Sequence, residues 1–147
     1  MSVAGERPPP SRRIEGFRYV LAFAYGFLAF SAGGRSVYQL VVRFDDAPLA
    51  VSLSVVAALV YLVAAICMRR RGARIWRVAV AACSFELIGV LSVGTASVVS
   101  GDLLHRATVW SQYGRGYGFV PLVLPVLGLG WLLRRETRRD YGVGELG

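Results

Sequence analysis

The sequence predicts an all-α polytopic membrane protein, an antiparallel bundle of four transmembrane helices, and three observations carry that prediction. Composition is the first: 55% of the 147 residues are hydrophobic and only 18% are charged, against about 45–50% and about 25% in a soluble domain. Mean hydropathy is accordingly positive, at +0.52. The second is a set of four apolar windows of roughly 20 residues, the length of helix that crosses a bilayer core of about 30 Å. The third is the placement of the basic residues, which gather in alternate connections and so mark one side of a membrane.

Taken in order, residues 1–16 hold Pro8, Pro9, Pro10 and Gly5 among Arg7, Arg12 and Arg13, lack apolar periodicity, and read as a disordered tail. The first span, 17–42, is apolar from Phe17 through Ser31. Beyond that it either ends at Gly33-Gly34 or continues through Arg35 to about Val42. The second span, 48–68, contains no charge and gives about 31 Å of helix. The third, 75–99, carries Arg77 near its start and a single acid, Glu86, near its middle. The fourth, 117–133, is uncharged but contains Pro121 and Pro125, which predicts a kink near Pro125. The chain then returns to charge over 134–147, a second tail.

All 17 basic residues are arginine. Thirteen fall on one side of the four-span map: Arg7, Arg12, Arg13 and Arg18; Arg69, Arg70, Arg71, Arg74 and Arg77; Arg134, Arg135, Arg138 and Arg139. Only Arg35, Arg43, Arg106 and Arg115 fall on the other. With an even number of spans this predicts a transmembrane domain over 17–133 between two cytoplasmic tails in a bacterial plasma membrane. The net charge of +8 then orients the chain, with anionic lipid headgroups on the cytoplasmic side as its partner in place of nucleic acid. Trp76 and Trp131 fall at the inner interface, and Tyr38, Trp110, Tyr113 and Tyr117 at the outer one, as aromatic belts. A cleaved signal is the competing reading of the first span, since basic residues precede the apolar run Tyr19 to Phe30 and Ser11-Arg12-Arg13 has a twin-arginine look. Glu15 and Gly16 stand where that signal needs apolar residues, which favours a retained span.

Glu86 is the outstanding residue. An acid at mid-bilayer costs at least about 2.5–3.5 kcal/mol on insertion scales, so it faces protein or water. Its helical neighbours Ala79, Ala82, Cys83 and Gly89 are small and let another helix approach. Glu86 reads either as a proton- or cation-binding carboxylate or as an internal anchor. If the first helix continues, Ser31, Arg35, Tyr38 and Gln39 form one polar stripe, and Arg35 becomes the candidate partner of Glu86; otherwise Arg35 reaches the outer headgroups. A second candidate site lies in the outer loop with Asp102, His105, Arg106, Tyr113 and Arg115 as a pocket for a polar headgroup. There the alternative is a short interfacial helix using Leu103, Leu104, Ala107 and Trp110.

Other motifs carry less. Asp45-Asp46-Ala47-Pro48 reads as a helix start, and Gly114-Arg115-Gly116-Tyr117-Gly118 as a flexible turn without the strand a phosphate loop requires. One histidine and no Cys-x-x-Cys exclude two-histidine zinc and dithiol redox chemistry, so no enzyme activity, metal or cofactor is expected.

A buried acid in a short four-span chain invites comparison with small multidrug transporters. Those place the acid in the first span and show little arginine bias, whereas here it stands in the third and the bias is steep. The run from Trp110 through Gly114-Arg115-Gly116-Tyr117-Gly118 to Gly128, with Phe85-Glu86-Leu87-Ile88-Gly89-Val90-Leu91, resembles short four-span integral membrane proteins of unknown function from high-GC actinobacteria. The absence of lysine and asparagine fits such a genome. The likeness covers most of residues 14–133 and implies no site and no activity. The expected function is a non-catalytic accessory or scaffold subunit of a membrane assembly, partnered by another membrane protein or by itself. The alternative is a small transporter or ligand-binding membrane protein that uses Glu86.

Overall fold

The computed structural model describes residues 11–42, 44–46, 48–100 and 108–143, and among the described residues every regular element is helical. The helices are α1 (Arg12–Val42), α2 (Pro48–Arg69), α3 (Ala73–Val99), α4 (Val120–Leu132) and α5 (Arg135–Asp140), with 3-10 segments at Phe44–Asp46 and Ser111–Tyr117. Helices α1, α2 and α3 are long and apolar enough to cross a membrane. The second 3-10 segment and α4 form a pair bent by 99°, which makes up to four spans.

Helix α1 starts at Arg12, so residues 12–16 belong to the helix and not to a disordered tail. The Ser11 carbonyl accepts from the Ile14 and Glu15 amides, and Glu15 in the first turn complements the positive end of the helix. The helix then runs without a break through Gly33 and Gly34. Each glycine weakens a helix by about 1 kcal/mol relative to alanine, but tertiary packing overrides that. The buried positions Leu21, Tyr25, Leu28, Ala32, Ser36 and Gln39 recur every three or four residues to the far end of α1. Their principal neighbour is α2, whose buried Ser54, Ala57 and Ala64 permit close helix approach.

A turn at Gly72, with φ of 135°, leads into α3. The buried positions of α3 include Ala79, Ala82, Cys83, Glu86, Val90 and Gly94. Helix α4 is shorter than the predicted 117–133. The chain breaks at Gly118 and Phe119, with φ of 62° and 61°, and Pro125 lies inside α4. Pro121 suits the first turn, where an N–H has no intrahelical partner, and Pro125 deprives only the Pro121 carbonyl of one.

Residues 134–143 are not a free tail. Helix α5 buries Thr137, and Tyr141 is buried with its hydroxyl donating to the Cys67 carbonyl at 2.9 Å. At this end of the molecule Arg18 of α1, the α2–α3 turn, the start of α3 and the end of α4 come together, since Arg18 reaches the Arg70 carbonyl and Trp76 Nε1 donates to the Leu132 carbonyl.

Candidate functional site

Glu86 stands 13 residues from either end of α3 and has no solvent exposure. Among the described residues no cation pairs with its carboxyl, and the Tyr25 hydroxyl is the hydrogen-bonding group set against it. The groups around it are phenols and a thiol. Tyr25 from α1 and Tyr61 from α2 are both fully buried and interact electrostatically with Glu86, and so does Cys83 one turn back on α3. The Tyr25 hydroxyl lies 3.4 Å from Cys83 Sγ, and the Tyr25 and Tyr61 rings are 6.3 Å apart. Helix α4 closes this side with Gly128, where an added Cβ would sit 3.1 Å from Cys83 Sγ and 3.4 Å from the Tyr25 hydroxyl. The thiol and phenol thus pack closely against the glycine backbone.

The far side of Glu86 is closed by a segment that the sequence reading placed at the membrane surface. Thr108, Val109 and Trp110 are buried. The Trp110 ring lies over Gly89, one turn beyond Glu86, where a Cβ would come within 2.8 Å of it. Its indole N–H donates to the Tyr61 hydroxyl at 2.9 Å. Trp110 is therefore a core residue and not part of an outer aromatic belt. Bare backbone at Gly89 admits the ring, and the Tyr61 hydroxyl satisfies a donor that burial would otherwise leave unpaired.

From Trp110 the chain climbs along α3. The Tyr113 ring seats on Gly94, whose Cβ would lie 2.5 Å from it, and its hydroxyl pairs with Thr95 at 3.0 Å. The Gln112 amide donates to Ser97 Oγ at 2.7 Å. These contacts hold Gln112 and Tyr113 at φ of 50° and 60°, ahead of Gly114 at 79°. A left-handed side-chain-bearing residue costs about 1–2 kcal/mol, so the turn is strained and held in place by α3. The glycine-rich run 114–118 follows as a turn, with Gly114 and Gly118 at positive φ, Gly114 against Pro121 of α4, and Arg115, Gly116 and Gly118 exposed.

The predicted sites are redistributed. Arg35 does not pair with Glu86. Tyr25 is the α1 residue at the level of Glu86, and Arg35, ten positions on, lies about 15 Å farther along the helix. The buried stripe of α1 passes through Ala32, Ser36 and Gln39, leaving Tyr38 exposed and Ser31 and Arg35 half-buried. Ser36 donates to the Ala32 carbonyl, and Gln39 Oε1 is buried without a partner. Asp102, His105 and Arg106, with Leu103, Leu104 and Ala107, lie outside the described residues. Of that loop site Tyr113 packs on α3, and Arg115 is exposed.

Sequence reasoning named Cys83 as a neighbour of Glu86 but missed Tyr25, Tyr61 and the Trp110 that bonds to Tyr61. The signal was present for two of them: Tyr61 is a polar ring inside an uncharged span, and Tyr25 shares the three-and-four spacing of Leu21, Leu28 and Ala32. Comparison with protein-family models, with curated proteins and with solved structures finds no match to this chain.

Proposed function

We propose that the chain is an integral protein of a bacterial plasma membrane, an antiparallel four-span bundle with both termini cytoplasmic, and a non-catalytic accessory or scaffold subunit of a membrane assembly. In this reading the arginine-rich end meets anionic headgroups. The observation that carries it is α4. Its 13 residues give about 20 Å of helix, well short of a hydrocarbon core of about 30 Å, and a short span is accommodated by local thinning or by association. Val123, Val126, Leu127 and Gly130 lie on its exposed side, an apolar surface with one small residue of the kind that meets another membrane helix.

A photo-activatable side chain at Val123 or Val126, with a control at Phe30 of α1, tests this in intact cells. Protein adducts from α4, and lipid adducts alone from Phe30, are the expected result. Lipid adducts alone at all three positions, with the protein migrating as a monomer in mild detergent, overturn it.

A second reading is favoured by one observation, the fully buried carboxyl of Glu86 with no ion pair among the described residues. In it the chain is a small transporter or ligand-binding membrane protein and Glu86 binds the ligand.

A further inference from the structure

A strained segment seats Trp110 on Gly89, one turn from the buried acid, and bonds it to Tyr61, a neighbour of that acid. We propose that residues 108–119 are a gate, that Glu86 exchanges a proton with the solution at the Tyr113 end of the bundle, and that Trp110 must withdraw for the exchange to occur. This inference rests on the second reading, in which Glu86 binds a ligand, and supplies its ligand and its regulation.

The ligand follows from volume and charge. Glu86 is fully enclosed, and Gly128 supplies no removable side chain on the α4 side. An ionised carboxylate out of water with no ion pair is costly. A proton cancels that charge without needing space. The titratable groups facing Glu86 are Tyr25 from α1, Tyr61 from α2 and Cys83 from α3, with Tyr117 of the 3-10 segment beside Tyr61; α4 contributes Gly128 to this cluster. Tyr61 couples gate and site. Its hydroxyl accepts from Trp110, which leaves its own O–H free to be turned toward the carboxyl.

The gate follows from how the segment is held. Three polar contacts fasten it to α2 and α3: Trp110 to Tyr61, Gln112 to Ser97 and Tyr113 to Thr95. Its seats are Gly89 and Gly94, bare backbone into which the rings of Trp110 and Tyr113 fit. Gln112 and Tyr113 are held in left-handed conformations, so release of the segment relieves strain. The bend at Gly118 and Phe119 separates it from α4, which can stay packed on α3.

Cys83 is a natural reporter, since it lies one turn from Glu86 on α3, beside the Tyr25 hydroxyl that also neighbours the acid. The experiment uses the full chain with Cys67→Ser, reconstituted in lipid nanodiscs. A small water-soluble methanethiosulfonate is expected to modify Cys83 slowly in this background and about fivefold faster in Trp110→Phe, which loses the indole hydrogen bond to Tyr61 and part of the ring seated on Gly89 but keeps an aromatic side chain. Trp110→Ala is expected to accelerate it about a hundredfold, and Trp110→Phe carries the test if the alanine variant fails to fold. In the same samples infrared spectroscopy follows a carboxyl C=O band that Glu86→Gln abolishes. On transfer to D2O that band is expected to shift slowly in the parent, and faster in Trp110→Phe by the same factor as the thiol.

A thiol rate that no Trp110 substitution changes, with the Glu86 band intact, overturns the gate and leaves the second reading standing. Faster thiol modification without faster exchange of the band overturns the link between gate and proton. A spectrum in which Glu86→Gln removes no carboxyl band overturns the second reading itself.

Discussion

Two nearly inaccessible ionisable side chains in this molecule have opposite surroundings. Arg18 is 3% exposed and Glu86 is 0% exposed. Arg18 pairs with Asp140, reaches the Arg70 carbonyl, and lies over the rings of Trp131 and Tyr141 at 5.5 and 5.0 Å. Arg71 extends this network to Asp140 and Glu15 at 3.6 and 3.2 Å. Glu86 has phenols and a thiol for neighbours, with Tyr25 as its hydrogen-bonding group, and no ion pair among the described residues. The difference follows from position. Arg18 lies where the start of α1, the α2–α3 turn and α5 meet, and such connections carry opposite charges and free carbonyls. Glu86 lies at the middle of three apolar helices whose backbone groups are already used.

The largest expected effect breaks the satisfied charge. Arg18→Ala leaves Asp140 without its principal partner at the buried end, and removing one member of a buried pair costs about 3–5 kcal/mol. Thermal denaturation in detergent should show a large fall in midpoint. Arg18→Met combined with Asp140→Leu should recover much of it. A single mutant that melts with the parent would mean that α5 does not depend on the pair.

The alkaline limb tests the same end of the molecule. Burial, only partly opposed by the Arg18 charge, pushes the Tyr141 phenol up from 10.0 to about 12. Because the folded form resists ionisation, its stabilising contribution is complete below pH 10 and is lost as the pH rises toward 12. The parent should therefore lose stability across that window. Tyr141→Phe should flatten that limb while lowering the neutral-pH midpoint slightly, through loss of the bond to Cys67. An unchanged alkaline limb in the phenylalanine variant would remove Tyr141 as its source.

The smallest effect is a coupling near zero. Arg35 and Glu86 are too far apart along α1 to pair, so the double-mutant cycle of Arg35→Gln and Glu86→Gln should close to within about 0.5 kcal/mol. Glu86→Gln alone should keep its fold, in contrast to Arg18→Ala. A coupling well above that limit would show that the two residues share an interaction and would erase the contrast between the two buried sites.

Much of this was legible one helix at a time. Glu86 stood out because an acid inside an apolar window has few solutions, and its small helical neighbours correctly implied burial. Helix α2 begins at Pro48 as read, because proline suits the first turn. The end of α1 was not legible, because glycine cost and interhelical packing oppose each other and only the packing partner decides which wins. Trp110 was misread for a related reason. An amphipathic ring next to polar residues fits a membrane interface equally well, and nothing local reveals that Gly89, 21 positions earlier, leaves a space of its shape.

The sequence by itself determined that the chain is helical, that three or four of its helices are long and apolar enough to cross a membrane, and that one carries an acid near its middle. Those properties depend on composition and on periodicity within each segment. Tertiary structure alone decided that the acid meets Tyr25, Tyr61 and Cys83, that Trp110 seats on Gly89 and bonds to Tyr61, and that α5 folds back so that Asp140 meets Arg18. These depend on close approach between residues up to 122 positions apart. Such approach is set by where side chains are missing as much as by where they are present, as Gly89, Gly94 and Gly128 show, and a one-dimensional pattern of polarity does not encode the shape of a gap.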